Sequence, residues 1–185
     1  KQPDSAHFFY KKAMTIATSS GQSDTEAKIH QKLGTLQRSL SNYDSSKQHF
    51  DSGLKLYQKL NDSLGIAKAK NNLGTIDFFK GNYKEALQLY HQAINLFKKL
   101  NNTKGIADCR NNMGIIHWKQ KNYELAKKYY KKAAKSYEKL GNKRMEGFAL
   151  NNLGIIFGEQ NEYIQSLEYY KKATAIFEEI GFIQA

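Results

Sequence analysis

Four glycines set the frame for what this chain can fold into. Gly34, Gly74, Gly114 and Gly154 stand 40 residues apart, and three of them close the same phrase: Asn71-Asn72-Leu73, Asn111-Asn112-Met113 and Asn151-Asn152-Leu153. Tyr43, Tyr83, Tyr123 and Tyr163 keep the same interval. So do the aromatics Tyr10, Phe50, Tyr90, Tyr130 and Tyr170, and the small residues Ala13, Gly53, Ala93, Ala133 and Ala173. A period held without insertion is the mark of a stacked array, whose units bury their apolar faces only against their neighbours.

Each period divides into two helical halves. Ile66, Ala69, Leu73, Ile76 and Phe79 follow three-to-four spacing, Lys80-Gly81-Asn82 interrupts, and the spacing resumes through Ala86, Leu87, Tyr90, Ala93, Ile94, Phe97 and Leu100. The helices are expected to run about 16–18 residues, roughly 25 Å each. Helices of that length are marginal alone and need tertiary packing. The spacing predicts one all-α array over 1–185 with about nine helices. It comprises an orphan second helix over 1–20, repeats over 23–60, 63–100, 103–140 and 143–180, and the start of another at 181–185. Pro3-Asp4-Ser5 reads as an N-cap. The lack of a polar capping helix predicts a piece cut from a longer array. The single proline leaves helix interiors intact. A helix-interior glycine costs about 1 kcal/mol relative to alanine, so the glycine column predicts a close helix crossing.

The Leu-Gly pair of the first helix, the tyrosine after the turn, and the small–aromatic–small series Ala86, Tyr90, Ala93 and Ala126, Tyr130, Ala133 resemble the tetratricopeptide repeat family. The chain departs from that family's commonest form in its 40-residue period and in carrying Gln58, Lys98, Glu138 and Glu178 where a proline usually ends the second helix. The resemblance implies a right-handed α-α superhelix, a solenoid of antiparallel helix pairs, with first helices lining a concave groove and second helices outside.

Chemistry-bearing motifs are few. His7, His30, His49, His91 and His117 share no register, and none has a partner at metal-ligand spacing. Cys109, the sole cysteine, excludes an intrachain disulfide and reads as a partly buried, inert thiol. The glycines occur singly, so no loop is built to cradle phosphate. No catalytic residue, metal or cofactor is expected.

The asparagine pairs are more informative. A carboxamide has two donors and an acceptor, so it can grip both the C=O and the N–H of a peptide unit. In members of the resembled family that bind extended peptides, the asparagine two places before the repeat glycine makes such contacts, which implies Asn72, Asn112 and Asn152. Asn71, Asn111 and Asn151 lie close to the same face. The alternative role is bonding between adjacent helices, and one residue of each pair can serve each purpose. Three-to-four spacing extends the stripe to Lys68, Thr75, Phe78 and Phe79, to Asp108, Ile115, Trp118 and Lys119, and to Phe148, Ile155 and Glu159. The first full unit is more polar, with Lys28, Gln31, Lys32, Thr35 and Arg38. Aromatics on this stripe either form pockets for peptide side chains or pack between helices. The two-carboxylate clamp of some family members wants basic residues where the last unit has Phe148 and Asn152.

The chain carries 29 Lys+Arg against 17 Asp+Glu, a formal charge of +12. The excess is densest at Lys127, Lys128, Lys131, Lys132, Lys135 and Lys139, on one second helix. Nucleic-acid surfaces favour arginine for bidentate contacts, and Arg38, Arg110 and Arg144 are scattered, so a solvated lysine face is the favoured reading over a nucleic-acid partner. No apolar run approaches the length of a membrane span, and no membrane contact is expected. The leading expectation is a non-enzymatic scaffold holding a protein or peptide segment, with self-association as the alternative. The phrase Asn-Asn-Leu-Gly is also similar to sensor regions of bacterial signal-transduction proteins. That resemblance implies an input module of a larger chain, periplasmic in a membrane-bound sensor kinase and cytoplasmic otherwise.

Overall fold

The computed structural model describes residues 2–182. Among them are nine α-helices and no strand: α1 (Gln2–Ser19), α2 (Ser23–Ser39), α3 (Tyr43–Lys59), α4 (Ser63–Phe79), α5 (Tyr83–Lys99), α6 (Thr103–Lys119), α7 (Tyr123–Lys139), α8 (Lys143–Glu159) and α9 (Tyr163–Glu179). Helix α1 already includes Pro3, Asp4 and Ser5, so they form its first turn rather than a cap before it. Proline is tolerated there because a first-turn N–H has no intrahelical acceptor. Most of the expected opening of a further repeat, residues 183–185, lies outside the described residues.

One turn serves after every helix. A single residue adopts positive φ at Gly21, Ser41, Asn61, Gly81, Asn101, Lys121, Gly141, Asn161 and Gly181. After eight of these residues the next N–H reaches back five positions, as from Asn42 to the Gln37 carbonyl (2.9 Å) and from Asn122 to that of His117 (2.8 Å). This closure satisfies carbonyls that the helix end leaves open.

The residues fall into two compact units, one ending at Leu100 and one beginning at Asn101. In the first, α1 packs on α2, α2 on α3, α3 on α4 and α4 on α5. Its core includes one cluster of Ala27, Tyr57 and Ala69, and another of Phe50, Leu73 and Ile76. An ion pair sits between α3 and α4, where Lys47 Nζ lies 3.1 Å from Oδ1 of buried Asp77. In the second unit α6 packs on α7, α7 on α8 and α8 on α9. Ala126, Tyr130, Leu153, Ile156 and Phe157 form one core cluster there. Lys127 and Phe157 occupy the register of Lys47 and Asp77, and the ammonium lies 4.9 Å from the ring centroid. Lys127 is therefore largely buried, 12% exposed and paired with Glu124 at 2.6 Å, whereas Lys128, Lys131, Lys132, Lys135 and Lys139 are exposed. The face of α9 is left apolar and open, with Tyr163, Ile164 and Leu167 all exposed.

The repeat glycines mark close helix crossings. A Cβ on Gly34 would stand 2.7 Å from the Phe50 ring, and one on Gly114 would stand 2.8 Å from the Tyr130 ring. Where the facing helix carries serine in place of alanine, its hydroxyl donates to the glycine carbonyl, Ser46 to Gly34 (2.7 Å) and Ser166 to Gly154 (2.9 Å).

Between α2 and α3, the Nδ1 atoms of His30 and His49 lie 3.1 Å apart. One of the two nitrogens must lack a proton to accept this bond. Burial holds His30 below the ordinary value of 6.5, with Glu26 opposing the shift. The unfolded chain therefore takes up a proton near pH 6.5 that the folded pair resists, so stability present above that pH declines as pH falls below it. From pH 7.5 to 5, the melting temperature is expected to fall about 2 °C or more further than in a His30→Gln variant. Parallel curves for the two proteins would show that the pair does not titrate against folding.

Candidate functional site

In the second unit a hydrogen bond ties α6 to α8 directly: the Trp118 indole N–H donates to Glu159 Oε2 at 2.9 Å, across 41 residues of sequence. The Tyr123 hydroxyl also bonds to Glu159, and the Lys119 ammonium lies 4.7 Å from the indole centroid. The indole is thus fixed in orientation, with one face against a cation. One turn before it on α6 stands Ile115. Asn152 and Ile155 are one turn apart on α8, and Tyr130 of α7, fully buried beneath Gly114, reaches the same space. These five side chains, Ile115, Trp118, Tyr130, Asn152 and Ile155, line a pocket of about 160 Å³. A dry apolar cavity of roughly 150 Å³ holds one benzene, so the space suits a single apolar side chain. The lining is apolar apart from the Tyr130 hydroxyl, the Trp118 N–H already engaged with Glu159, and the Asn152 carboxamide, which can both donate and accept.

The other residues of the expected stripe have varied surroundings. In the first unit Asn72 Nδ2 donates to Gln31 Oε1 at 2.8 Å, again 41 residues apart, linking α4 to α2. Thr75 donates to the Asn71 carbonyl (3.0 Å) and lies 3.2 Å from the Tyr90 hydroxyl. Phe78 packs on Phe79 and Tyr83, with ring centroids 5.3 and 5.9 Å away. Asn71, Asn112 and Asn151 are half-buried, while Asn111 is buried with its Oδ1 unpaired. Asp108 accepts from the Tyr137 hydroxyl (2.9 Å) and from Lys104 (2.7 Å). With burial, its charge pushes the Tyr137 phenol well above its ordinary range. Phe148 belongs to an aromatic cluster with Phe177 and Phe182, capped by Arg144.

Of the twelve stripe residues singled out for a groove, Ile115, Trp118 and Asn152 meet in the pocket. Ile155 and Glu159 lay on the same stripe by spacing. Tyr130 read only as a packing residue of the aromatic column, although a ring pressed beneath a glycine must also approach the face on which that glycine lies.

Groups suited to covalent or metal chemistry do not converge here. Burial pushes the Cys109 thiol up to about 12, so the nucleophilic thiolate is scarce at neutral pH. His117 stacks on Tyr129, with ring centroids 5.3 Å apart. Among the described residues no three His, Cys, Asp or Glu side chains gather as a metal site, and no helix is long and apolar enough to cross a membrane.

The sequence pattern of the tetratricopeptide repeat matches residues 24–99, 65–139 and 106–179. No curated protein matches the chain by sequence. Among solved structures, aspartyl phosphate phosphatase F from Bacillus subtilis superposes with a TM-score of 0.90 at 16% identity, over 98% of this chain and 49% of that one. The Rap conjugation gene regulator of the plasmid pLS20, solved in complex with the Phr* peptide, gives 0.83 at 19% identity over 94% and 48%. BtubC from P. vanneervenii gives 0.79 at 18% identity over 96% and 73%. The chain thus spans about half the length of the first two. At these identities the likeness is one of fold, an all-α solenoid of helical repeats.

Proposed function

The chain belongs to the tetratricopeptide repeat family, and from that premise we propose that it is a binding scaffold, which holds an extended peptide or protein segment against its first helices. Such repeats are in general non-catalytic interaction modules. The observation that carries the reading is the pocket on α6 and α8: an apolar space for one side chain, with the Asn152 carboxamide at hand to hold the backbone beside it. An apolar pocket with a few placed polar groups is the usual form of a recognition site. Asn112 stands at the same register one repeat earlier and supplies the next grip. We further propose that the scaffold is the interaction module of a larger signalling protein. The fold likeness to the plasmid regulator solved with its Phr* peptide supports this reading.

Selection from phage-displayed random octapeptides tests it. Wild-type protein is expected to enrich binders that alter the emission of Trp118, the only tryptophan in the chain. Replacing Asn112 and Asn152 together with alanine should weaken those binders about tenfold or more with helicity unchanged by circular dichroism. Undiminished affinity in the double variant removes the amide grip. Binders that leave Trp118 emission untouched remove the pocket.

A further inference from the structure

Three departures from the repeat open a groove between α7 and α9, on the second helices. Its floor on α8 is Leu150, at a register that His30, Lys70 and Arg110 hold in the earlier first helices. Ala134 and Ala175 stand on its walls. Eighty residues earlier, in the first unit, the same two positions hold Leu54 and Asn95. There Lys70 also bonds Gln92 at 2.6 Å and ties α4 to α5. In the second unit that tie is absent, because Leu150 cannot make it and Lys172, in the register of Gln92, pairs with Glu168 at 2.6 Å. Smaller and less polar groups therefore leave an apolar trough of about 540 Å³.

The two ends of the trough differ in charge. Lys131 and Lys135 line one end, and Glu138 and Glu146 line the other. Glu146 Oε2 is buried without a hydrogen-bond partner. Burial pushes that carboxyl above its ordinary value; Lys143 opposes the shift, while Glu138 and Glu179 add to it. A carboxylate short of a donor is completed best by a cation. The lining spans residues 131–138 on α7, 146–153 on α8 and 169–176 on α9, roughly 10 Å at 1.5 Å per residue. Two turns of a helix cover that distance, with one apolar stripe at three-to-four spacing along it.

We propose that this groove docks an amphipathic helix of a partner protein, whose apolar stripe fills the trough, whose acidic residue meets Lys131 and Lys135, and whose basic residue two turns away meets Glu138 and Glu146. A helix in a groove is read through such spaced anchors. The order of charge selects the occupant, since a helix of one sign throughout meets a like charge at one end. The surface is separate from the pocket on α6 and α8, so the protein can hold this partner whether or not a peptide occupies that pocket.

Four fluorescein-labelled 16-residue helical peptides test the proposal by anisotropy. One has Glu and Lys seven positions apart flanking a leucine stripe. Two carry Glu alone or Lys alone at those places, and the fourth keeps both charges but has Gln in place of the leucines. Wild-type protein should bind the first about tenfold or more tighter than the others. Ala175→Leu fills the trough from an exposed position on α9 and should weaken that binding about tenfold or more. Lys131→Glu with Lys135→Glu makes both ends acidic and should transfer the preference to the all-Lys peptide. Lys59→Gln on α3 should change binding less than about twofold. Replacing Asn112 and Asn152 with alanine should leave the affinity unchanged, and the first peptide should not alter Trp118 emission. Equal binding of all four peptides, or a preference unmoved by the charge reversal, overturns the groove. Loss of binding in the asparagine variant would put the helix on the first helices instead and overturns it too. If no peptide binds, the groove is overturned and the pocket reading stands on its own test.

Discussion

Replacing Gly114 with leucine is expected to cost about 3 kcal/mol and lower the melting temperature by on the order of 10 °C. Even the first carbon of a side chain meets an obstacle. A Cβ would stand 2.8, 2.9 and 3.1 Å from three carbons of the Tyr130 ring. That ring is 1% exposed, packed among Ala126, Leu153, Ile156 and Phe157, and cannot swing into solvent. Either α6 and α7 separate or the cluster beneath them opens. Thermal melts followed by circular dichroism measure the loss, and an unchanged melt would mean the crossing is not close. A cycle with Gly114→Ala and Tyr130→Leu localises the cause, because the ring's removal should recover most of what the methyl costs. Tyr130 also lines the pocket, so Gly114→Ala should shift Trp118 emission before it unfolds anything.

A loss of about 2–3 kcal/mol is expected for Lys47→Met. The Asp77 side chain is 6% exposed, and its ion pair with Lys47 is 3.1 Å long. Removing one partner of a buried pair strands the other charge, at about 3–5 kcal/mol when both are buried. Lys47 is 41% exposed, which reduces the figure. Lys47 also offsets the burial that pushes the neighbouring Asp51 carboxyl up, while Asp77 adds to that push. Urea titrations of the variant and the wild type at neutral pH measure the loss, and an undiminished stability would show that Asp77 is solvated some other way. Adding Asp77→Leu should restore most of the stability, since the same register in the second unit is filled by apolar Phe157.

The helices and their pairing were legible because the 40-residue register repeats five kinds of residue at once, and each kind has one steric meaning. Contacts that depend on a single side chain in one repeat were not legible. Asp108 sits on the stripe by spacing, yet the Tyr137 hydroxyl captures it, whereas Phe97 and Phe177 hold that register without a hydroxyl. Phe148 goes to the rings of Phe177 and Phe182. Lys127 read as part of a solvated lysine face, although Leu87 and Leu167 at its register were a signal that the position is apolar. Within the asparagine pairs the two members stand about 100° apart around the helix, both near the groove side by spacing, and only packing separates buried Asn111 from pocket-lining Asn152.

The turns keep a beat of half the sequence period. Their positive-φ residues fall every twenty positions from Gly21 to Gly181, whether glycine, serine, asparagine or lysine fills the place. Because α2 to α9 are equal in length and the turns between them recur at a fixed interval, a gene that gains or loses one forty-codon stretch by unequal recombination leaves each remaining helix in phase with its neighbour. Chains of this kind can therefore change length in a single genetic event, and the number of stacked units becomes a heritable quantity that varies in whole steps.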